Sequence, residues 1–214
     1  MIHGQVWAWV ALFLLGAYHG INPAMGWLFA VALGLQKKSA RAVWESLLPI
    51  ATGHVIAIVA VILVAVLAGA VLPVHFLRIA VVVILIGFGV YRIASKNHPR
   101  FGGMQVGFRD LTIWSFLMAC AHGAGLMLLP VLLGMSAMGA GHEAQLAAFP
   151  SVKTQLFAVA IHTVGYLLLT GTIAWVVFTK LGVSVLRKAW LNLDFVWAVA
   201  LIATAGLTLV FSWF

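Results

Sequence analysis

The sequence predicts an all-α, polytopic membrane protein: six transmembrane helices arranged as a 3+3 inverted repeat, with both termini outside. Three observations predict it. First, the 214-residue chain is 64% hydrophobic and 7% charged, where soluble domains carry roughly 25% charged residues. Second, continuous apolar runs cover 6–34, 46–72, 74–94, 111–138, 154–178 and 192–213. Each supplies the ~20 residues that a spanning helix needs, and none shows the short alternating pattern of a membrane barrel. Third, the net charge of +8 is distributed unevenly. Lys37, Lys38, Arg41, Arg92, Lys96, Arg100, Arg109, Lys180, Arg187 and Lys188 fall in or beside the first, third and fifth connections, whereas only Arg78 and Lys153 fall on the other side. Basic residues concentrate in cytoplasmic loops, so those three connections are expected inside. The same residues then meet anionic lipid, and no nucleic-acid surface is implied.

The first run carries the motif around which the chain is organised, Gly16-Ala17-Tyr18-His19-Gly20-Ile21-Asn22-Pro23-Ala24-Met25-Gly26. From Val6 to Leu35 no side chain is charged. Pro23 has no N–H to give to the carbonyl of His19 and its ring clashes with that carbonyl, so a kink or break is expected there. Broken helices in lipid are tolerated where the freed backbone groups face protein or line a cavity, as at transporter binding sites. No basic segment precedes this run and no cleavage pattern follows it, so it is expected to be a retained helix.

Span 1 is expected to end near Gly34, with Lys37, Lys38 and Arg41 in a short cytoplasmic turn and Pro49 in the first turn of span 2. His54 follows in Thr52-Gly53-His54, and Pro73 marks a tight turn into span 3. Span 4 carries Cys120-Ala121-His122-Gly123 with Pro130 beyond, and span 5 carries His162-Thr163. Cys120 is the single cysteine, so neither a disulfide framework nor a paired-cysteine zinc motif exists. Trp7, Trp9, Trp44, Trp190 and Trp213 sit near span ends, as interfacial aromatic residues do.

The polar stretch around 96–110 divides the chain into a first three-helix repeat, 1–95, and a second, 111–214. Ala17-Tyr18-His19-Gly20 corresponds to Cys120-Ala121-His122-Gly123, and each half has a further histidine on its second helix. Three spans per repeat require the second repeat to insert upside down, and equivalent positions then meet near the midplane. His19, His54, His122 and His162 are therefore expected to converge.

Imidazole is a common transition-metal ligand and is less costly to bury neutral than a carboxylate or lysine. The four acids, Glu45, Asp110, Glu143 and Asp194, lie at or beyond span ends. This disfavours oxygen-seeking calcium, magnesium or manganese and favours nickel, cobalt, zinc or copper. The candidate site is His19, Asn22, His54, His122 and His162, with Met25, Cys120 and Thr163 as additional contacts and Met118 as a further sulfur. His142 and Glu143, with His3 and His75, form an expected external capture point. The opposing interpretation is that each histidine bonds a neighbouring helix and only holds the bundle together.

Six spans in three-plus-three order with a proline-broken first helix resemble the LysE-type transporter superfamily. The histidine in that helix is similar to the nickel/cobalt (NicO) and HupE/UreJ-type members, which place an acidic residue five positions after it, where Ala24 stands here. The resemblance implies a transporter with His19 and Asn22 as motif residues. The function expected is thus a permease, not an enzyme, for a transition-metal ion as substrate, in the cell membrane as a multi-pass protein, a bacterial inner membrane. No GxxxxGK loop is present, so energy must come from gradients or a partner protein. Two alternatives use the same residues: a b-type haem held by paired histidines, and export of a small organic anion facing the half-helix amides at Gly20–Met25. Expected partners are the lipid bilayer and the metal ion or small-molecule substrate, with no nucleic acid; a homo-oligomer is left open.

Overall fold

The computed structural model describes residues 2–94, 107–137 and 149–181, with 199, 202, 203, 205 and 206 of the last apolar run. The connection over 95–106, the segment 138–148 with His142 and Glu143, and nearly all of the expected sixth span lie outside the described residues. Every element described is helical: α1 (Ile2–Ile21), a 3₁₀ turn (Pro23–Met25), α2 (Trp27–Lys37), α3 (Ala40–Gly69), α4 (Val74–Ala94), α5 (Phe108–Ala121), α6 (Ala124–Ala137) and α7 (Val152–Val176). Wider π turns continue α7 over Val177–Leu181.

Among the described residues, two helices are long and apolar enough to cross a membrane, Ala40–Gly69 and Val152–Lys180. A third span results if α5 and α6 are counted as one helix bent by 58°. The exterior is apolar, with Trp7, Leu48, Val64, Leu67, Phe76 and Phe157 all more than half exposed. A water-soluble monomer rarely leaves so much contiguous apolar surface open, whereas a hydrocarbon environment accommodates it.

The boundaries differ from the sequence expectation in two instructive places. The first apolar run is two helices, α1 and α2, divided as Pro23 predicts. Pro49, expected in the first turn of span 2, lies well inside α3, because the helix begins at Ala40. The early turns of α3 are polar, with Arg41 Nε donating to Glu45 Oε1 at 2.7 Å one turn on, a spacing that supports a helix ahead of the apolar run. Pro49 therefore interrupts the backbone ladder at the carbonyl of Glu45 rather than starting the helix. The fourth apolar run, continuous in the sequence, bends at His122 and Gly123, where Gly123 adopts φ 67°.

Two helix pairs form the frame. α1 packs most extensively on α7, and α3 on α5. Both contacts are backbone against backbone, made through glycine: a Cβ on Gly16 would strike the carbonyl of His162, one on Gly165 the carbonyl of Phe13, and one on Gly53 the carbonyl of Thr112. Small residues let membrane helices approach closely, where lipid gives no hydrophobic drive to associate. The interior between the pairs holds Leu12, Met25, Ile50, Ile58, Met127, Leu128 and Tyr166, all essentially inaccessible.

Substitution tests this frame. Gly16→Ala and Gly165→Ala should each cost at least about 1–3 kcal/mol, the range for overpacking a close contact. Gly134→Ala should be nearly neutral, since nothing lies within 4 Å of the added methyl. Thermal unfolding in detergent measures the difference, and equal melting temperatures for all three variants contradict the packing described.

Candidate functional site

The break between α1 and α2 sits in the interior. Asn22 caps the 3₁₀ turn, its Oδ1 accepting from the amide of Ala24 at 3.0 Å. The amide of Asn22 donates to the His19 carbonyl at 3.3 Å, that of Met25 to the Asn22 carbonyl at 3.0 Å, and that of Gly26 to the Pro23 carbonyl at 3.4 Å. Gly26 turns the chain into α2 with φ 149°, a conformation open to glycine but not to residues with a Cβ.

Three carbonyls at the break are satisfied by aromatic side chains. Trp27 Nε1 donates to Ile21 at 2.8 Å. Trp114 Nε1, reaching from α5, donates to Ala24 at 3.3 Å. The Tyr166 hydroxyl, reaching from α7, donates to Met25. A buried backbone group left unpaired costs about 1–3 kcal/mol, and here protein donors cover these three carbonyls. None of the three aromatic residues stands out in the sequence, because each reads as ordinary apolar filling of a membrane helix.

Beside the break, three imidazoles meet. His19 comes from the end of α1, His54 from the middle of α3 and His162 from α7, and all three are fully buried. The ring centroids of His19 and His162 are 5.0 Å apart, those of His54 and His162 5.5 Å, and those of His19 and His54 5.8 Å. Tyr166, one turn beyond His162, lays its ring on the face of His54 with centroids 4.1 Å apart and planes 17° from parallel.

In two of the three rings a hydrogen bond fixes which nitrogen carries the proton. Nδ1 of His19 lies 2.7 Å from the carbonyl of Leu15, and Nδ1 of His162 lies 3.2 Å from the carbonyl of Leu12. A carbonyl only accepts, so both Nδ1 atoms donate, and each neutral ring keeps its lone pair on Nε2. Nε2 of His162 is buried without a hydrogen-bond partner, and so are both nitrogens of His54. Buried polar atoms are in the large majority paired with protein, ordered water or an ion, and among the described residues no protein atom supplies that partner here.

His122 is almost fully buried and repeats the arrangement of His19: Nδ1 lies 2.8 Å from the carbonyl one turn back, that of Met118, and the helix breaks directly after it. It is near enough to His19 for the two imidazoles to interact electrostatically. The Nδ1 bonds of His19 and His122 thus stay within their own helices, while that of His162 crosses from α7 to α1. Of the other candidates, Asn22 is committed to its cap through Oδ1, and Met25 is buried with its carbonyl held by Tyr166. Thr163 is partly buried, with its hydroxyl unpartnered. Cys120 is exposed; two residues before His122, it lies on a different side of α5, and it does not join the cluster. Met118 is buried. His75 is exposed at the start of α4, its ring edge-on to Phe76 at 6.0 Å.

Among the described residues, no three histidine, cysteine, aspartate or glutamate side chains have donors set to hold one metal ion as they stand. What the cluster provides is three adjacent rings, two of them pinned at one nitrogen, in an interior without a carboxylate among the described residues. Comparison with protein-family models, curated proteins and solved structures finds no match for this chain. Among the described residues, fold and exterior define an all-helical protein with two to three helices long and apolar enough to cross a membrane and a buried polyhistidine cluster beside a helix break.

Removing one donor tests the cover over the break. Trp27→Phe keeps the aromatic volume but strands the Ile21 carbonyl, and should cost about 1–3 kcal/mol, the penalty for one unsatisfied buried group. Trp7→Phe, at an exposed position, should change little. A Trp27→Phe variant as stable as the parent in detergent unfolding contradicts the capping role.

Proposed function

We propose that this chain is a membrane transporter for a transition-metal ion, nickel, cobalt, zinc or copper, and that His19, His54 and His162 form its transport site with His122 beside it. The observation that carries this reading is the pattern of nitrogens. Metal-binding histidines characteristically donate one ring N–H to a backbone carbonyl or carboxylate, which orients the ring and leaves the other nitrogen as ligand. His19 and His162 have that arrangement, and the unpartnered nitrogens of His162 and His54 are what an incoming ion needs. The centroid separations suit it too, since three imidazoles around one ion at about 2.0–2.1 Å would place their centroids roughly 5 Å apart.

The inverted repeat belongs to the same proposal. α1 with α2 corresponds to α5 with α6, each a helix broken just after a histidine whose Nδ1 bonds one turn back. α3 then corresponds to α7, each carrying a central histidine. Under a twofold relation the α1–α7 contact maps onto the α5–α3 contact, and these are the two most extensive pairs. Six spans, cytoplasmic basic loops and outward termini complete the reading, which also agrees with the LysE-type resemblance.

The alternatives draw less support. The amides of Asn22, Ala24, Met25 and Gly26 all have partners within the break, so they are not held ready for an organic anion. A haem between His54 and His162 would have to part rings packed within 5.5 Å and displace Tyr166, and a colourless purified protein from haem-replete cells excludes it.

Two measurements test the proposal. Purified protein should bind at least one of the four ions, and proteoliposomes containing it should pass that ion. His54→Ala and His162→Ala should each weaken binding by more than the roughly 10–100-fold that loss of a second-shell partner costs, and His19→Ala and His122→Ala should abolish transport, all with modest loss of stability. Failure to bind or move any of the four ions, or parental transport in folded His19→Ala and His122→Ala variants, contradicts it.

A further inference from the structure

Tyr166 touches both the histidine cluster and the helix break. Its ring covers a face of His54 at 4.1 Å. Its hydroxyl holds the carbonyl of Met25, and the same oxygen lies 3.1 Å from where a Cβ on Gly26 would stand. Tyr166 is fully buried, and so is Met25. His54 itself makes no hydrogen bond through either nitrogen, so among the described residues its ring is held by packing, with Tyr166 against one face. His162, by contrast, is tied to the backbone at Nδ1.

An ion shared by the cluster requires nitrogens, not ring faces, to converge. The rings are at suitable separations, but their donors do not meet at one point. The ring with no hydrogen bond to break is His54, and turning its edge toward the ion means leaving its stack on Tyr166.

Resting on the transport-site reading above, we infer that Tyr166 is a positioning residue that latches the Asn22–Gly26 break shut and releases it when His54 turns to bind an ion. In the latched state the aromatic ring is clamped against His54 and the hydroxyl against the Met25 carbonyl. Once His54 turns, the ring loses its support, the hydroxyl is no longer held in register, and the break can rearrange. Occupancy of the site would thereby be communicated, through a single side chain, to the one part of the first apolar run whose backbone departs from the α-helix.

The test uses the whole chain in detergent, with Cys120→Ser removing the natural thiol and Ala24→Cys reporting on the break through its rate of maleimide labelling. Cobalt(II) is the probe, because its visible spectrum reports ligation. In the parent background, cobalt should accelerate labelling at position 24. Tyr166→Phe keeps the stacked ring and loses the hydroxyl; without cobalt it should label about 2- to 12-fold faster than the parent, the range set by the net worth of one hydrogen bond, and cobalt should add little. The cobalt spectrum of Tyr166→Phe should persist. Ala65→Cys, at a buried position near the far end of α3, serves as the control and should label equally slowly in both backgrounds.

Parental, cobalt-responsive labelling in Tyr166→Phe overturns the latch, and so does an equal acceleration at positions 24 and 65, which signifies a loosened bundle. If Tyr166→Phe does not fold, the parent alone decides: unchanged labelling at position 24 on cobalt binding overturns the proposal. A parent with no cobalt spectrum overturns the cobalt-driven release and leaves the transport-site reading to be decided by binding of nickel, zinc and copper, while the basal labelling rates still show whether Tyr166 closes the break.

Discussion

The rest of this structure depends on how the backbone is satisfied where α1 stops at Ile21 and α2 starts at Trp27. A proline in an apolar interior removes one hydrogen bond and distorts the turn before it, and lipid offers no water to make good the loss. The protein answers with donors from three helices: Trp27 from α2, Trp114 from α5 and Tyr166 from α7. Those contacts draw α5 and α7 onto the break, and the two close glycine contacts, α1 on α7 and α3 on α5, set the distances at which this is achieved. Because α7 is held against α1 in this register, the rings of His162 and His19 meet, and α3, held against α5, brings His54 to both.

Much of the candidate site was legible in the chain. The break was predictable because a proline acts on its own neighbours, and the importance of the histidines was readable because polar residues at such depth are costly and few. Matching the two halves led to the expectation that His19, His54, His122 and His162 converge; ring contacts join His19, His54 and His162, and they depend on packing that composition cannot supply. The aromatic donors were not legible. Trp114 reaches a carbonyl 90 positions away and Tyr166 one 141 positions away, and a local reading of span 4 or span 5 sees only another apolar ring. Cys120 was misplaced as a contact for a related reason: its nearness to His122 in sequence puts it on a different side of the helix. Pro49 was assigned to a helix start because the apolar run begins near it, whereas the Arg41–Glu45 pair sits in polar turns that precede that run.

The cluster combines two features that simple structural histidines do not need. The Nδ1 bonds of His19 and His122 are internal to their helices, so those bonds add nothing to the joining of neighbours. His54 spends neither nitrogen on the bundle. A site built to be filled has reason to keep such atoms uncommitted, since each bond made in the resting state must be broken before an ion is held. The absence of a carboxylate beside the rings, among the described residues, also bears on turnover: a site of neutral ligands binds a cation less tightly than one with fixed negative charge, and so releases it more readily.

The central claim is that His19, His54 and His162 share one metal ion. Crystals of the protein grown with cobalt, with data collected on either side of the cobalt absorption edge, test it most directly. The account predicts one anomalous peak enclosed by the three rings, within bonding distance of Nε2 of His162 and of a nitrogen of a turned His54. A cobalt-bound protein whose anomalous peaks all lie elsewhere, with the three imidazoles still in their resting arrangement, contradicts it.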